Sequence, residues 1–242
     1  MSGSQDRARI APVQAVDSAG APNMISGRWP LVFPGSAEMS ETLDFRPTLI
    51  AGRVRLEPLA ANHRDALARA ADFPEIWAHM PLDASGEGFQ PWFELSLASA
   101  EAGREAVWAV RSVADGALVG STRYLAIDRL NRRLEIGHTW YTPAVWASDV
   151  NPACKLALMR HAFETLGFNR VEFKTDNRNR RSQAAIAKLG APREGVFRAH
   201  MVRRDGSLRD SVYFSVIRDE WPSVRERLTA RLGGVEPAAS AS

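Results

Sequence analysis

One cysteine, Cys154, in 242 residues leaves this chain without an internal disulfide. Its five histidines, at positions 63, 79, 138, 161 and 200, are too scattered to form ligand pairs, so no metal site is expected. No apolar run approaches the roughly 18 residues of a membrane-spanning helix, and the N-terminus lacks a basic-then-apolar signal pattern. These absences point to a cytoplasmic chain without membrane contact. Lysine is scarce too: the basic residues are nearly all Arg, so the pI is about 9.4 although the formal net charge is only +3. Arginine suits bidentate contacts to phosphate, which leaves room for a phosphorylated ligand. The arginines are dispersed, with no aromatic platform between them, and a nucleic-acid partner is not expected.

What remains is a globular composition, 45% hydrophobic and 24% charged. Residues 1–45 contain many Ser, Gly, Ala and Pro with no sustained periodicity and read as a disordered extension, with 234–242 as a disordered tail. The span 46–233 reads as one domain.

Within that span the hydrophobic period changes several times. "VRLEPL", from Val54, alternates as a strand, and "NHRDALARAA" follows with Asn62 as a helix cap. "PEIWAHM" and "FQPWFELSLASAEAG" read as two further helical pieces, with Trp77, Trp92, Phe93 and Leu97 facing either core or groove. Asp115-Gly116 joins two alternating runs into a hairpin, and "RRLEIGHTWY" adds a third strand. "VNPACKLALMRHAFETLG" is helical, with Leu156, Met159, Ala162, Phe163 and Leu166 on one face and Gly167 as its stop. "RVEFKTD" is again a strand, "NRRSQAAIAKLG" a helix with Ala185, Ile186 and Leu189 inward, and a second hairpin turns at Asp205-Gly206. "EWPSVRERLTARLG" closes the domain as an amphipathic helix. A strand-helix-strand unit inside an antiparallel series implies an α/β (α+β) fold: a mixed, mostly antiparallel sheet of about seven strands flanked by helices, with one parallel crossover between Tyr141 and Asp176. Ligands in open sheets collect where strand carboxyl ends meet helix starts, so that crossover locates the site.

Two helix starts face it. In "SDVNPACK" Asn151 can cap with Pro152 in the first turn, leaving backbone N–H groups and the positive dipole end for an anion, and Lys155 lies one turn in. In "KTDNRNRRSQAAIAKLGA" Asn179 and Ser182 have the spacing of a cap, or of one wall of a site. Glu135 and His138 lie on the strand before the crossover, where alternation sends them to opposite faces unless a bulge at Gly137 re-aims one.

The ordered set "EIG", "HAFETLG", "RVEFKTD" and Asn179-xx-Ser182-xxxxx-Lys188-Leu189-Gly190 resembles the GNAT acyl-CoA N-acetyltransferase family, closest to its ribosomal-protein N-acetyltransferase branch, over residues 46–232. The resemblance implies acetyl-CoA as cosubstrate and direct transfer to a primary amine, either a protein N-terminus or a small molecule, by a monomer or homodimer. It assigns the general base to Glu135 or His138, the oxyanion donor to a backbone N–H of Thr139, Trp140 or Tyr141, and CoA contacts to Asn179, Ser182 and Arg181. Ser182 also becomes the acid for the leaving thiolate. Trp77 and Trp92 would shape the acceptor groove. The family's pyrophosphate loop is glycine-rich, whereas here its positions fall on Trp146, Asp149 and Asn151; Val150, Asn151 and Lys155 are the implied substitutes. That loop, and the absence of a Tyr from the helix carrying Ser182, leave a non-catalytic acyl-CoA-binding module as the alternative.

Overall fold

The computed structural model describes residues 43–234, so most of the expected extension and nearly all of the expected tail lie outside the described residues. Leu43 and Phe45 pack against the core, Phe45 edge-on to Phe168.

Eight strands form one sheet: β1 Leu49–Ala51, β2 Val54–Pro58, β3 Ala106–Ser112, β4 Leu118–Asp128, β5 Arg133–Tyr141, β6 Arg170–Asp176, β7 Arg193–Val202 and β8 Leu208–Ile217. Their order is β1-β2-β3-β4-β5-β6-β8-β7, antiparallel throughout except for the parallel pair β5-β6. Both Asp-Gly hairpins form as the sequence predicts, with Gly116 and Gly206 at positive φ. The eighth strand, beyond the expected seven, is β1. Its three residues turn onto β2 through Gly52 at φ 54°, and three residues cannot display an alternation.

Five helices accompany the sheet: α1 Arg64–Ala71, α2 Phe89–Glu101, α3 Val150–Arg160, α4 Arg180–Ala187 and α5 Trp221–Arg231. Two helix expectations are corrected. "PEIWAHM" closes only a single 3-10 turn, Pro74–Ile76, because it is bounded by Pro74 and Pro81, and Trp77 drops straight into the core. Asn62 caps nothing: it lies inside a 3-10 turn whose entry is closed by the His63 ring accepting from the Ala60 N–H.

The helices cover the sheet on two faces. On one, residues of α3, α4 and α5 pack on Leu134, Ile136, Val171, Phe173, Val212 and Val216. On the other, α1 and α2 enclose Trp77, Trp92 and Trp140 over β3. The alternation read in β6 holds, with Val171, Phe173 and Thr175 buried on the α3 face and Glu172, Lys174 and Asp176 turned away. Helix α3 is buried over most of its circumference rather than along one stripe, Ala153, Cys154 and Ala157 being small enough to lie against the neighbouring elements. Gly167, at φ 68°, ends the segment after one π-helical turn.

One irregularity positions the site. Ser121 of β4 opposes Trp140, but Arg123 opposes Gly137, so β5 carries one extra residue there. His138 is that residue, with φ 46°. A bulge bends its strand, and β5 pairs with β6 only from Arg133 to Glu135. Beyond Glu135 and Glu172 the two strands run on without pairing, to Tyr141 and to Asp176.

Candidate active site

The gap between the diverging strands opens a cavity of about 600 Å³. Its walls are β5 from Glu135 to Tyr141, the end of β6 from Phe173 to Asp176, and the first turns of α3 and α4. Ten residues expected from the sequence meet here. Glu135, His138, Thr139, Trp140 and Tyr141 come from β5, Asn151 and Lys155 from α3, and Asn179, Arg181 and Ser182 from the start of α4. Val150 does not line the cavity but is buried in the α3 core. Neither do Trp77 and Trp92, which pack against Trp140 in the other core, Trp77 donating its indole N–H to the Ala71 carbonyl.

The bulge decides what β5 presents. Leu134, Ile136 and Tyr141 belong to the α3-side core and Trp140 to the opposite one, a sequence of faces possible only if His138 is inserted. His138 therefore joins Glu135 on the face away from α3. Glu135 is 4% exposed and lies 3.2 Å from the Lys174 ammonium. Burial raises its pKa, with Lys174 pulling the other way. His138 is pushed down to about 4 by burial and by the nearby Arg123, so it is neutral at physiological pH.

On the other wall, Lys155 is 5% exposed and donates to Thr139 Oγ1 at 2.9 Å, an oxygen that also meets the Thr122 hydroxyl at 2.8 Å. Its ammonium thus stands beside β5 rather than along the start of α3. Burial lowers it to about 8. Asn151 is not the cap of α3: the helix begins at Val150 after Asp149, and the Val150 N–H meets the Ser148 hydroxyl at 3.3 Å. Asn151 lies instead in the first turn, half-buried at the cavity wall.

Asn179 does cap α4, its Oδ1 accepting from the Ser182 N–H at 2.9 Å. A cap uses only the oxygen, so the amide NH2 remains for the cavity, as does the Ser182 hydroxyl. Arg181 stacks on Trp146, its guanidinium carbon 3.9 Å from the ring centre, and Trp146 is fixed by donating to the Tyr141 carbonyl. Asn179→Ala should lower the stability of the fold by about 1 kcal/mol, the usual worth of an N-cap. Urea unfolding would measure this, and a change below about 0.3 kcal/mol would assign Asn179 to the ligand alone.

The chain that builds this site is similar to known proteins. The model of the acetyltransferase (GNAT) domain matches residues 53–192. The chain belongs to the GNAT acetyltransferase family. YdaF of Bacillus subtilis (strain 168), named as a candidate ribosomal N-acetyltransferase, is 32% identical over 107 residues, 44% of this chain and 57% of YdaF. The chain thus matches little more than half the length of that relative. A candidate acetyltransferase from T. thermophilus superposes with a TM-score of 0.70 at 37% identity, covering 78% of this chain and 98% of its own. Mycobacterium smegmatis RimJ, solved in complex with CoA-disulfide, shares the fold at 23% identity and a TM-score of 0.65, over 78% of this chain and 94% of its own.

Within this GNAT fold, several cavity residues escaped the sequence reading. Trp146, placed from the sequence only as an aligned position of the pyrophosphate loop, sits in an irregular stretch with no period to show that it supports Arg181. Lys174 and Asp176 were visible only as the charged face of β6, with nothing to show that this face fronts a cavity. Arg209 shares a face with Ser211 and Tyr213 by alternation, but β8 reaches the site only through its pairing with β6. Among the described residues no group of three His, Cys, Asp or Glu is placed to hold a metal ion, and no helix is long and apolar enough to cross a membrane.

Proposed function

We propose that the protein transfers an acetyl group from acetyl-CoA directly to a primary amine, with Glu135 as general base. The observation that carries this is a nearly buried carboxylate placed where β5 and β6 part, in a cavity bounded by two helix starts. A carboxylate withdrawn from water costs stability, and an active site is where such a cost is tolerated.

The residues fit acetyl-CoA. Beyond Glu135 the backbone of β5 has no strand partner on the β6 side, which suits an extended amide-bearing arm. The first turn of α3 offers the Asn151 N–H and side chain to phosphate oxygens, the Val150 and Ala153 N–H groups being bonded already and Pro152 having none, and Arg181, stacked on Trp146, adds a charge. The cosubstrate supplies an acetyl thioester, already activated toward an amine.

The chain then has three tasks. Glu135, directly or through a water, takes the proton that the acceptor ammonium must lose, and Lys174 helps keep it ionised despite burial. Backbone N–H groups of the Thr139–Tyr141 segment face developing negative charge on the carbonyl oxygen. As the C–N bond forms and the C–S bond breaks, the Ser182 hydroxyl relays the second proton of the attacking nitrogen to the leaving sulfur and ends as a hydroxyl again. His138, neutral and in the left-handed conformation, orients the acceptor beside Glu135.

Calorimetric titration with acetyl-CoA and dephospho-CoA tests the cofactor half of this reading. Micromolar acetyl-CoA binding is expected, weakened about fivefold in Arg181→Ala for the loss of about 1 kcal/mol from a partly exposed charge contact. Absence of binding at millimolar ligand would overturn it. Binding without CoA release across a broad amine panel would make the protein an acyl-CoA-binding module.

A further inference from the structure

Arg209 of β8 is only 8% exposed, yet among the described residues its guanidinium makes no hydrogen bond. Its Nε is buried without a partner. The nearest carboxylate, Asp176, is 4.0 Å away and already engaged. Asp176 accepts from Arg203 at 2.7 and 2.9 Å and from the Arg178 N–H at 2.8 Å. Arg204, at the rim, is held by Asp83 at 2.7 Å. A buried guanidinium without an anion is costly, whereas the same group meeting a carboxylate in a dry site binds it through a planar fork.

Its location gives the missing anion a source. Arg209 lines both the 600 Å³ cavity and an adjoining one of about 490 Å³. By the alternation of β8 it shares a face with Ser211 and Tyr213, which pair with Asp176 and Lys174, so it stands on the Glu135 side of the sheet and away from α3. It is close enough to Glu135 for its charge to favour the ionised carboxylate there. Lys174 is paired with Glu135 and Arg203 with Asp176, so on this face of the sheet both carboxylates are taken and an anion reaching Arg209 meets a guanidinium with no hydrogen-bonded partner of its own.

We propose that Arg209 receives a carboxylate of the acceptor, so that the preferred substrates are amines bearing a carboxylate close to the reacting amino group. The proposal rests on the acetyl-transfer reading of the site and names its substrate class. Two sources share this chemistry, a free amino acid and an acidic side chain near a polypeptide N-terminus.

The test uses matched pairs on the full chain with acetyl-CoA. One arm compares amino acids with their amides, and the other compares N-terminal peptide amides carrying Asp or Glu at the second position with those carrying Asn or Gln. In at least one arm the acid should exceed its neutral partner about tenfold or more in kcat/KM, a bidentate charge contact being worth that much. In Arg209→Gln the preference should fall below about threefold, and Arg209→Lys should keep part of it. Thermal melting of both variants separates misfolding from loss of the contact. Equal or reversed preference in both arms, with amines turning over, overturns the proposal and leaves acetyl transfer standing. If no amine turns over, acetyl transfer is what fails, and calorimetry with the same pairs decides: tighter binding of the acid, abolished in Arg209→Gln, upholds the carboxylate site, and equal or no binding overturns it.

Discussion

Glu135→Gln should reduce kcat/KM for the amine by about a hundredfold or more, the worth of a positioned general base, while acetyl-CoA affinity changes by less than about threefold. Glutamine keeps the shape and an oxygen for Lys174 to donate to, so the cavity wall survives and only the proton acceptor is lost. The pH profile separates the two candidate bases. A base works in its deprotonated form, so activity falls as pH drops through its pKa. For Glu135, raised by burial, that fall begins above the ordinary carboxylate value of 4.5, whereas for His138 it would come near 4. The acidic limb should disappear in Glu135→Gln and persist in His138→Asn. Asparagine is the appropriate control because it tolerates the left-handed backbone at φ 46°. A hundredfold loss in His138→Asn, with Glu135→Gln near wild type, would transfer the role to the imidazole.

Those two residues also show what a sequence can and cannot disclose about this fold. The alternation of β6, the two Asp-Gly hairpins and the Asn179 cap were legible because each is a local signal, carried by a few adjacent residues. A bulge at the "EIGHTW" stretch was foreseeable as a condition. Its occurrence is not local, since it is defined by the register of β4 against β5 and falls on His138 rather than Gly137. The start of α3 misled because Asn-Pro is a strong opening signal, yet Val150 is already helical and carries a buried side chain. Trp77 and Trp92 misled in another way. Large aromatic side chains fit a groove as well as a core, and only their packing against Trp140 of β5, distant in sequence, decides for the core. Arg209 was illegible because the carboxylates nearest to it lie on β6 and β5, distant in sequence, and a guanidinium without a hydrogen-bonded partner has no sequence signature.

Lys155→Met should stabilise the fold at neutral pH, by an amount that shrinks by about 3 kcal/mol between pH 7.5 and 10.5. The lysine is buried, and burial holds its pKa at about 8 against an ordinary 10.5, partly countered by Cys154 and Glu135. A cation whose pKa is depressed in the folded state binds its proton more tightly when unfolded. Its contribution to stability is therefore least below pH 8 and is recovered as pH rises toward 10.5, and a difference of two to three units corresponds to about 3 kcal/mol. Methionine fills a similar volume against Phe173 and leaves Thr139 still bonded to Thr122, so no polar group is orphaned by the change. Cys154, Tyr124 and Tyr141 have raised pKa values and oppose the fold in alkali in both proteins; Lys155 lowers that of Cys154, but burial holds the thiol at about 12, beyond this pH range, so the difference between variant and wild type reports Lys155. Urea unfolding at a series of pH values measures it. A difference independent of pH would mean that cavity water already solvates the ammonium. The same substitution should weaken acetyl-CoA binding, because a fold that keeps an uncompensated cation at its strand gap, where a thioether would be more stable, keeps it for the ligand that enters there.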